Sequence, residues 1–275
     1  MAQNLGDNLV YSTTRISSDA GAIGTGFFVS FSVNESDQYI PVLVTNKHVI
    51  QDANIIEFLI TVENKDTGER IKKFPVQVSD IQKMFLLHPD DEVDLCVLPI
   101  AGVLEHLREK NLSEVIFPFH ESIIYKSGSN NLGNISAIQE IHMTGYPSGL
   151  WDDVNNKPIT RKGITASSVK QNWQGKKEFL ADITCFPGSS GSPIYIYDDG
   201  MFMDGKSAKL GERLILLGIL YAGPTFTAEG EIRAVKIPTN YKSIAVTELM
   251  MNLGFIIKAE ELFVIKDMIL DIIKN

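Results

Sequence analysis

The chain has 275 residues, of which 44% are hydrophobic and 21% charged, a composition typical of a globular protein large enough to bury a core. Its net charge of −9 comes without a basic run, which argues against a nucleic-acid-binding protein. Its longest apolar run, 214–222, is too short for a membrane-spanning helix, and residues 1–15 lack the pattern of a signal peptide, so no membrane association is expected.

The first 110 residues predict a β-rich unit. Short stretches rich in Val, Ile, Leu and Phe are separated by polar turns, as is typical of strands. A helical connector is predicted over 101–111, at the end of this unit. The predicted strands are 23–31, 39–45, 55–62 and 94–100.

A second β-rich unit is predicted over 111–240. It contains a polar loop at 127–134 that is rich in Ser, Gly and Asn. Many short strands without alternating helices favour barrels or sandwiches and argue against a parallel α/β sheet. The predicted strands of this unit are 137–145, 164–169, 178–183, 192–197, 213–222 and 232–237.

Residues 241–275 predict a helical extension. A first helix is expected over 241–253, with Thr239 or Asn240 as its N-cap and Gly254 at its end. The organisation predicted from sequence is therefore two β-rich domains, 1–110 and 111–240, followed by helices.

A second helix is predicted over 258–274, where apolar residues recur near helical spacing. We expect this apolar face to pack on the β-rich units, since tertiary packing stabilises most amphipathic helices. The alternative is a surface for self-association or for a regulatory partner. The face consists of Leu262, Ile265, Ile269, Ile272 and Ile273.

The two cysteines, Cys96 and Cys185, lie in apolar, strand-like stretches. Unpaired cysteine in such a place usually behaves as a small buried hydrophobe. Because the chain can hold at most one disulfide, the sequence favours a reducing compartment, and we predict a cytoplasmic location. The cysteines and histidines show no zinc-ligand spacing, so no metal or other cofactor is predicted.

Residues 187–193, with the sequence PGSSGSP, are a candidate nucleophile loop. Glycine permits the backbone angles of a tight turn that presents the Ser190 hydroxyl. The N–H groups of Gly188 and Ser190 are candidate oxyanion-hole donors for acyl transfer. The alternative is an ordinary surface turn, because Gly and Ser dominate turns.

A general base and its partner are predicted at His48 and Asp94. A hydrophobic strand runs directly into His48, whose imidazole titrates in the range that suits a base. Asp94 opens an apolar stretch, where a buried carboxylate needs a partner such as the Nδ1–H of a catalytic histidine. Each residue alone also fits a structural role. The competing acids are Asp90, Asp91 and Glu92, of which none adjoins the apolar run.

The chain order His48, Asp94, Ser190 distinguishes between the folds that are known to carry a Ser-His-Asp triad. All five histidines precede Ser190, whereas an α/β-hydrolase needs its histidine after the serine. Ser192 also replaces the last glycine of the G-x-S-x-G nucleophile elbow. The subtilisin order needs an aspartate before the histidine, and the earlier aspartates lie in polar stretches. The order therefore favours the chymotrypsin plan.

In this order the sequence resembles the trypsin-like peptidases, and most of all their bacterial branch that includes the Deg-type proteases. No PDZ domain is expected after residue 222, and Ser189 stands where the family usually carries Asp or Asn. Activation by pairing with a freshly cut N-terminus is therefore unsupported. The resembling stretches are 24–29, 45–49, 94–98, 145–150, 159–160, 163–167, 187–193 and 217–219.

The resemblance implies an all-β fold of two six-stranded antiparallel β-barrels with C-terminal helices and a cleft between the barrels. It implies a serine endopeptidase that uses the triad and an acyl-enzyme intermediate on a specific intracellular protein or peptide substrate. Thr184 would form the floor of the S1 pocket, which favours a small or polar P1 residue. Tyr221, Ala222 and Gly223 would line the pocket wall.

Two alternatives to the endopeptidase stay open from the sequence. One is a catalytically silent or latent protease fold that serves as a binding or scaffold module, because one fold hosts many functions. The other is an esterase or another acyl hydrolase that uses the same triad.

Overall fold

Apolar stretches bounded by polar turns build a first sheet, which begins near the N-terminus. The computed structural model of the protein describes residues 4–33, 38–129, 132–231 and 244–274, with the backbone alone at 225–231 and 244–250. The strands of this sheet are β1 Thr13–Ser18, β2 Ile23–Ser32, β3 Tyr39–Thr45, β4 Ile55–Asn64, β5 Arg70–Ser79, β6 Leu86–Leu87, β7 Cys96–Pro99, β8 Leu112–Val115 and β9 Phe119–His120.

The first sheet has nine strands in the hydrogen-bonded order β5-β4-β1-β2-β3-β7-β6, with β8 beside β4 and β9 beside β2. All neighbours are antiparallel except β2 and β9. The pairing of β3 with β7 opposes Thr45 and Cys96. This register brings the segment that follows β3 and the segment that precedes β7 to one edge of the sheet.

The second half of the described chain forms a closed barrel and a separate two-stranded sheet. The strands are β10 Glu140–Gly145, β11 Ile159–Thr165, β12 Glu178–Asp182, β13 Pro193–Asp204, β14 Ser207–Ala222, β15 Thr225–Glu231, β16 Ile244–Met250 and β17 Leu253–Lys258. The barrel has the hydrogen-bonded order β10-β11-β12-β17-β14-β13, and β15 pairs with β16.

The helices are short except at the C-terminus. The α-helices are α1 Leu5–Leu9, α2 Lys47–Ile50, α3 Ile81–Met84, α4 Ala101–Glu109 and α5 Leu262–Lys274. The turns of 3-10 helix are Glu121–Ile123, Pro147–Gly149, Trp173–Gly175 and Ala259–Glu261.

A middle core layer joins the two sheets. One apolar cluster lies within the first sheet and another within the closed barrel, whereas the third takes residues from both and from α5. In this third cluster the Phe119 ring lies 5.8 Å from the ring of Phe27 and 5.6 Å from that of Tyr195. Burial of these rings fixes the two sheets against each other, since aromatic side chains remove large apolar areas from water.

The predicted all-β class, with antiparallel sheets and a C-terminal helix, is confirmed. The first sheet has nine strands where six were predicted, and the closed barrel has six. The predicted helix over 241–253 is wrong, because the backbone forms β16 at Ile244–Met250. Gly254 does not end a helix but lies in β17, where an added Cβ would stand 2.8 Å from Cys185 Sγ.

Several predicted boundaries also change. The strand expected at 164–169 is instead β11, which ends at Thr165, and β7 begins at Cys96 rather than at 94. Because β17 closes the second barrel, the extension predicted over 241–275 is not wholly helical. The domain boundaries themselves stay predictions. The strand predicted at 232–237 and the N-caps Thr239 and Asn240 lie outside the described residues.

Helix α5 confirms the predicted helix near the end of the chain, but only part of its predicted face is buried. Leu262, Ile265 and Ile269 belong to the middle core cluster, whereas Ile272 and Ile273 are exposed. In the described part of the chain, none of the helices has the length and apolar character needed to cross a membrane.

Truncation of the buried face of α5 should destabilise the protein. We expect Ile265→Ala to lower the free energy of unfolding by about 2–5 kcal/mol, because Ile265 is fully buried and the change leaves a cavity. Ile272→Ala, one of the exposed positions of the same helix, is the matched control and should change it by less than about 0.5 kcal/mol. Urea unfolding followed by far-UV circular dichroism measures both, and equal effects would contradict this packing.

Candidate active site

The pairing of β3 with β7 positions His48 and Asp94. His48 lies in α2, which follows β3, and Asp94 stands two residues before β7. His48 Nδ1 lies 2.5 Å from Asp94 Oδ2, and the His48 backbone N–H donates to Asp94 Oδ1 at 3.1 Å. The two carboxylate oxygens therefore hold both the imidazole and the backbone of one residue. This leaves His48 Nε2 as the ring nitrogen available to another group.

Neighbouring side chains hold the loop that carries Asp94. The buried Asn46 donates from Nδ2 to the Asp94 carbonyl at 2.7 Å, and Lys47 Nζ donates to the Asp90 carbonyl at 3.0 Å. The carboxylate of Asp90, a competitor in the sequence, forms an ion pair with Lys177 at 3.1 Å. Asp94 is thus the acid of this segment that faces a histidine ring at the edge of the sheet.

The His48–Asp94 pair is accessible from solvent on one side. The His48 side chain is 43% exposed and that of Asp94 is 24% exposed. A substrate can therefore approach the imidazole while the carboxylate stays partly covered. Partial burial strengthens the electrostatic interaction between such groups, because fewer water molecules screen it.

The loop that carries Ser190 is held against strand β2 through Thr25. The Thr25 N–H donates to the Ser190 carbonyl at 2.8 Å, and Thr25 Oγ1 donates to the Gly188 carbonyl at 2.9 Å. Thr45 Oγ1 donates in turn to the Thr25 carbonyl at 2.8 Å. Gly191 has a φ of +86°, and a Cβ there would stand 2.0 Å from the Thr25 carbonyl oxygen, so only glycine allows this approach.

The Ser190 hydroxyl points toward a backbone carbonyl in this structure. Ser190 Oγ donates to the Tyr221 carbonyl at 3.4 Å, and no hydrogen bond joins the described side chains of Ser190 and His48. Burial, the hydrogen bond to Glu178 and the charges of Glu178 and Asp94 raise the pKa of Tyr221. The charge of Asp94 therefore acts on Tyr221, the residue whose carbonyl the Ser190 hydroxyl contacts.

Two backbone donors of the Ser190 loop stay unused within the described chain. Ser189 N–H donates to the Phe186 carbonyl and Gly191 N–H to the Leu220 carbonyl, but the N–H groups of Gly188 and Ser190 have no such acceptor. Buried N–H groups are normally paired, so a loop with two free donors is suited to bind an oxyanion.

The residues predicted to form the S1 pocket lie on two facing segments. Ala222 ends β14, and a Cβ on the adjoining Gly223 would stand 3.3 Å from Cys185 Cβ, which shows that 184–185 and 222–223 are neighbours. The Tyr221 hydroxyl donates to Glu178 Oε2 at 2.5 Å. The Thr184 carbonyl accepts a hydrogen bond from Arg161 Nη1.

Three side chains that contact the site were not found from the sequence, namely Thr25, Arg161 and Glu178. Thr25 lies inside the GTGFFV stretch, which the sequence marked as a strand without giving its threonine a role. Arg161 and Glu178 carry no local signal, because each reaches its partner across the sheet. Only the strand register brings them to the site.

Comparison with known proteins identifies a family and a number of solved structures. The family model of the trypsin-like peptidase domain matches residues 24–203. The crystal structure of a serine-to-alanine mutant of Rv3671c from M. tuberculosis H37Rv, in its inactive form, is 14% identical with a TM-score of 0.43, and the match covers 91% of this chain and 82% of that chain. The scabies mite inactivated protease paralogue S-I1 is 12% identical with a TM-score of 0.47, over 98% of this chain and 97% of that chain. No curated protein matches the chain.

Neither cysteine offers a competing nucleophile. Cys96 and Cys185 are both free and buried. Burial raises the pKa of the Cys96 thiol well above its ordinary value. Burial also raises the pKa of Cys185 to about 11, against the opposing effect of Arg161. The thiolate is the reactive form of cysteine, so both side chains are expected to be unreactive as nucleophiles at neutral pH.

The native protein should therefore resist thiol reagents. At pH 8 a thiol with a pKa near 11 is about one part in a thousand thiolate, so we expect dithionitrobenzoate to modify neither cysteine rapidly in the folded protein. Both should react within minutes in guanidinium chloride, which serves as the control. Fast release of one equivalent of thionitrobenzoate from the native protein would contradict the described burial.

Proposed function

The chain belongs to the trypsin-like peptidase family, whose domain model matches residues 24–203, and on this basis we propose that it is a serine endopeptidase with His48, Asp94 and Ser190 as its catalytic triad. The observation that carries the proposal is the double contact of Asp94 with the ring and the backbone of His48. A carboxylate in this position fixes the imidazole tautomer that leaves Nε2 free to accept a proton.

In the first half of the proposed reaction, His48 Nε2 takes the proton of Ser190 Oγ as Oγ bonds to the substrate carbonyl carbon. The carbonyl oxygen becomes an oxyanion, which accepts hydrogen bonds from the N–H groups of Gly188 and Ser190. His48 then gives its proton to the amide nitrogen, the C–N bond breaks and the amine leaves. The acyl group remains on Ser190.

In the second half, His48 takes a proton from water, which attacks the acyl-enzyme carbonyl. The tetrahedral intermediate collapses, the bond to Ser190 Oγ breaks, and the proton returns to Oγ. Throughout, Asp94 stabilises the imidazolium through Nδ1–H. For the first step the Ser190 hydroxyl must exchange the Tyr221 carbonyl for His48 Nε2 as its hydrogen-bond acceptor.

The proposed substrate is a specific intracellular protein or peptide whose P1 residue enters a pocket formed by Thr184, Tyr221, Ala222 and Gly223. Thr184 carries no charge, which argues against a preference for Arg or Lys at P1 and favours a small or polar side chain. No cofactor is required by this mechanism.

A second candidate function is a latent or silent member of the family that acts as a binding module. The contact that favours it is the hydrogen bond from Ser190 Oγ to the Tyr221 carbonyl, because this bond uses the proton that His48 would have to accept. In a latent enzyme a partner or substrate would reorient this side chain. In a silent one it would stay in place.

A fluorophosphonate probe tests the nucleophile directly. We expect the wild type to be labelled with one equivalent, because the probe needs an activated serine and an oxyanion hole. Ser190→Ala should show no labelling. Ser207→Ala, which changes an exposed serine in the β13–β14 hairpin, should be labelled at the wild-type rate. An unlabelled but folded wild type would favour the latent or silent alternative.

Substitution of the two nearby aspartates tests the assignment of the acid. We expect Asp94→Asn to lower kcat/KM on a peptide substrate by about 10⁴-fold, because the amide stabilises the wrong tautomer of His48. Asp90→Asn is the matched control, since it removes a carboxylate four residues away that pairs with Lys177, and it should change kcat/KM by less than about twofold. Similar losses in both variants would show that the acid has been misassigned.

A further inference from the structure

A half-buried guanidinium lies beside the loop that carries Ser190. Arg161, on β11, donates from Nη2 to Ser189 Oγ at 2.7 Å and from Nη1 to the Thr184 carbonyl. Its Cζ lies 5.9 Å from the centre of the Phe186 ring. One side chain of the closed barrel therefore contacts three residues of the segment that leads to the nucleophile.

No carboxylate of the described residues neutralises the charge of Arg161. Its Nε atom is buried and has no hydrogen-bond partner. Burial lowers the pKa of Arg161 from its ordinary value. Removing a charge from water is costly unless it is paired and hydrogen-bonded, so a half-buried cation kept here without a counterion points to a role beyond stability.

The partner of Arg161 stands between the two oxyanion-hole donors. Ser189 is fully buried and lies between Gly188 and Ser190, whose N–H groups have no acceptor within the described chain. Fixing the Ser189 side chain limits rotation of the peptide units on both sides of it. The second contact, at Thr184, fixes the start of the same loop five residues earlier.

We propose that Arg161 is a positioning residue that orders the loop 184–190 and thereby holds the Gly188 and Ser190 N–H groups ready for the oxyanion. This inference rests on the endopeptidase activity proposed above. Ser189 provides a neutral hydroxyl that accepts from the half-buried cation, so a side chain of the barrel itself orders the loop.

An alternative role for Arg161 is direct binding of an acidic P1 side chain of the substrate. The hydrogen bonds to Ser189 and Thr184 favour loop positioning, because both terminal nitrogens of the guanidinium already donate to the loop. The two roles differ in which kinetic constant depends on the arginine, and the experiment below separates them.

Hydrogen exchange tests the positioning without relying on activity. In Arg161→Met, which keeps an unbranched apolar side chain but removes the guanidinium, we expect the hydrogen-bonded amides of Ser189 and Gly191 to exchange at least about tenfold faster than in the wild type. The matched control is Lys162→Met, the next residue of β11, whose exposed ammonium pairs with Glu140 on the neighbouring strand. It should leave both amides unchanged. Equal protection of these amides in Arg161→Met and the wild type would overturn the proposal.

Steady-state kinetics test the consequence for catalysis. We expect Arg161→Met to lower kcat about 100-fold with little change in KM on a peptide with a neutral P1 residue, which is the size of effect that follows the loss of an oxyanion donor. Arg161→Lys should recover part of kcat, and added guanidinium ion at low concentration should recover part of it in Arg161→Ala. A loss confined to KM for peptides with Asp or Glu at P1 would assign Arg161 to substrate binding instead.

The outcomes for the two proposals are distinguishable. If the wild type fails to react with fluorophosphonate but Arg161→Met loosens the loop, the endopeptidase proposal fails and the structural role of Arg161 stands. If the wild type is active and Arg161→Met keeps both its kcat and its loop protection, the positioning role fails while the proposed activity stands.

Discussion

The hydrogen bonds of Thr25 are the constraint on which the geometry of the site depends. Its N–H and its hydroxyl donate to the carbonyls of Ser190 and Gly188, and its own carbonyl accepts from the Thr45 hydroxyl. One residue of β2 thereby ties the nucleophile loop of the closed barrel to the strand that leads into His48. Because the three bonds are buried, breaking any of them would leave an unpaired polar group, which costs more than the bond itself contributes.

Glycines make this contact between the sheets possible. At Gly191 a side chain would collide with the Thr25 carbonyl, and at Gly145 a Cβ would stand 2.1 Å from Ser192 Oγ and 2.8 Å from Thr25 Oγ1. At both positions the backbone of one sheet approaches the other more closely than any larger residue permits. The pattern of Gly and Thr that the sequence shows around the candidate site thus has a packing reason as well as a conformational one.

The sequence predicted those parts of the fold that carry a local hydrophobic signal. Strand β3 was predicted with its observed bounds, because an apolar run ends in polar residues on both sides. Strand β5 was missed, since it is an edge strand with mostly exposed residues such as Lys72 and Lys73. The apolar residues of the stretch that forms β16 have a spacing that suits a helix or a strand. Its β-branched residues, Ile244, Val246 and Thr247, favour the strand that the backbone adopts. His48 and Asp94 could be predicted because each adjoins an apolar run, and Ser190 because it lies in a loop rich in Gly and Ser. Arg161 meets Ser189 only through the folding of distant segments.

The proposed mechanism requires the Ser190 hydroxyl to exchange one hydrogen-bond acceptor for another. In the structure it donates to the Tyr221 carbonyl at 3.4 Å, a long hydrogen bond, and the alternative acceptor is His48. Exchange of one hydrogen bond for another changes the free energy little, because the net contribution of each is only about 1 kcal/mol. In the proposed mechanism, a substrate backbone that competes for the Tyr221 carbonyl would release the hydroxyl toward the imidazole. Substrate binding itself would then complete the proposed triad, while Asp94 and the Ser189–Arg161 contact would hold the other groups in place beforehand.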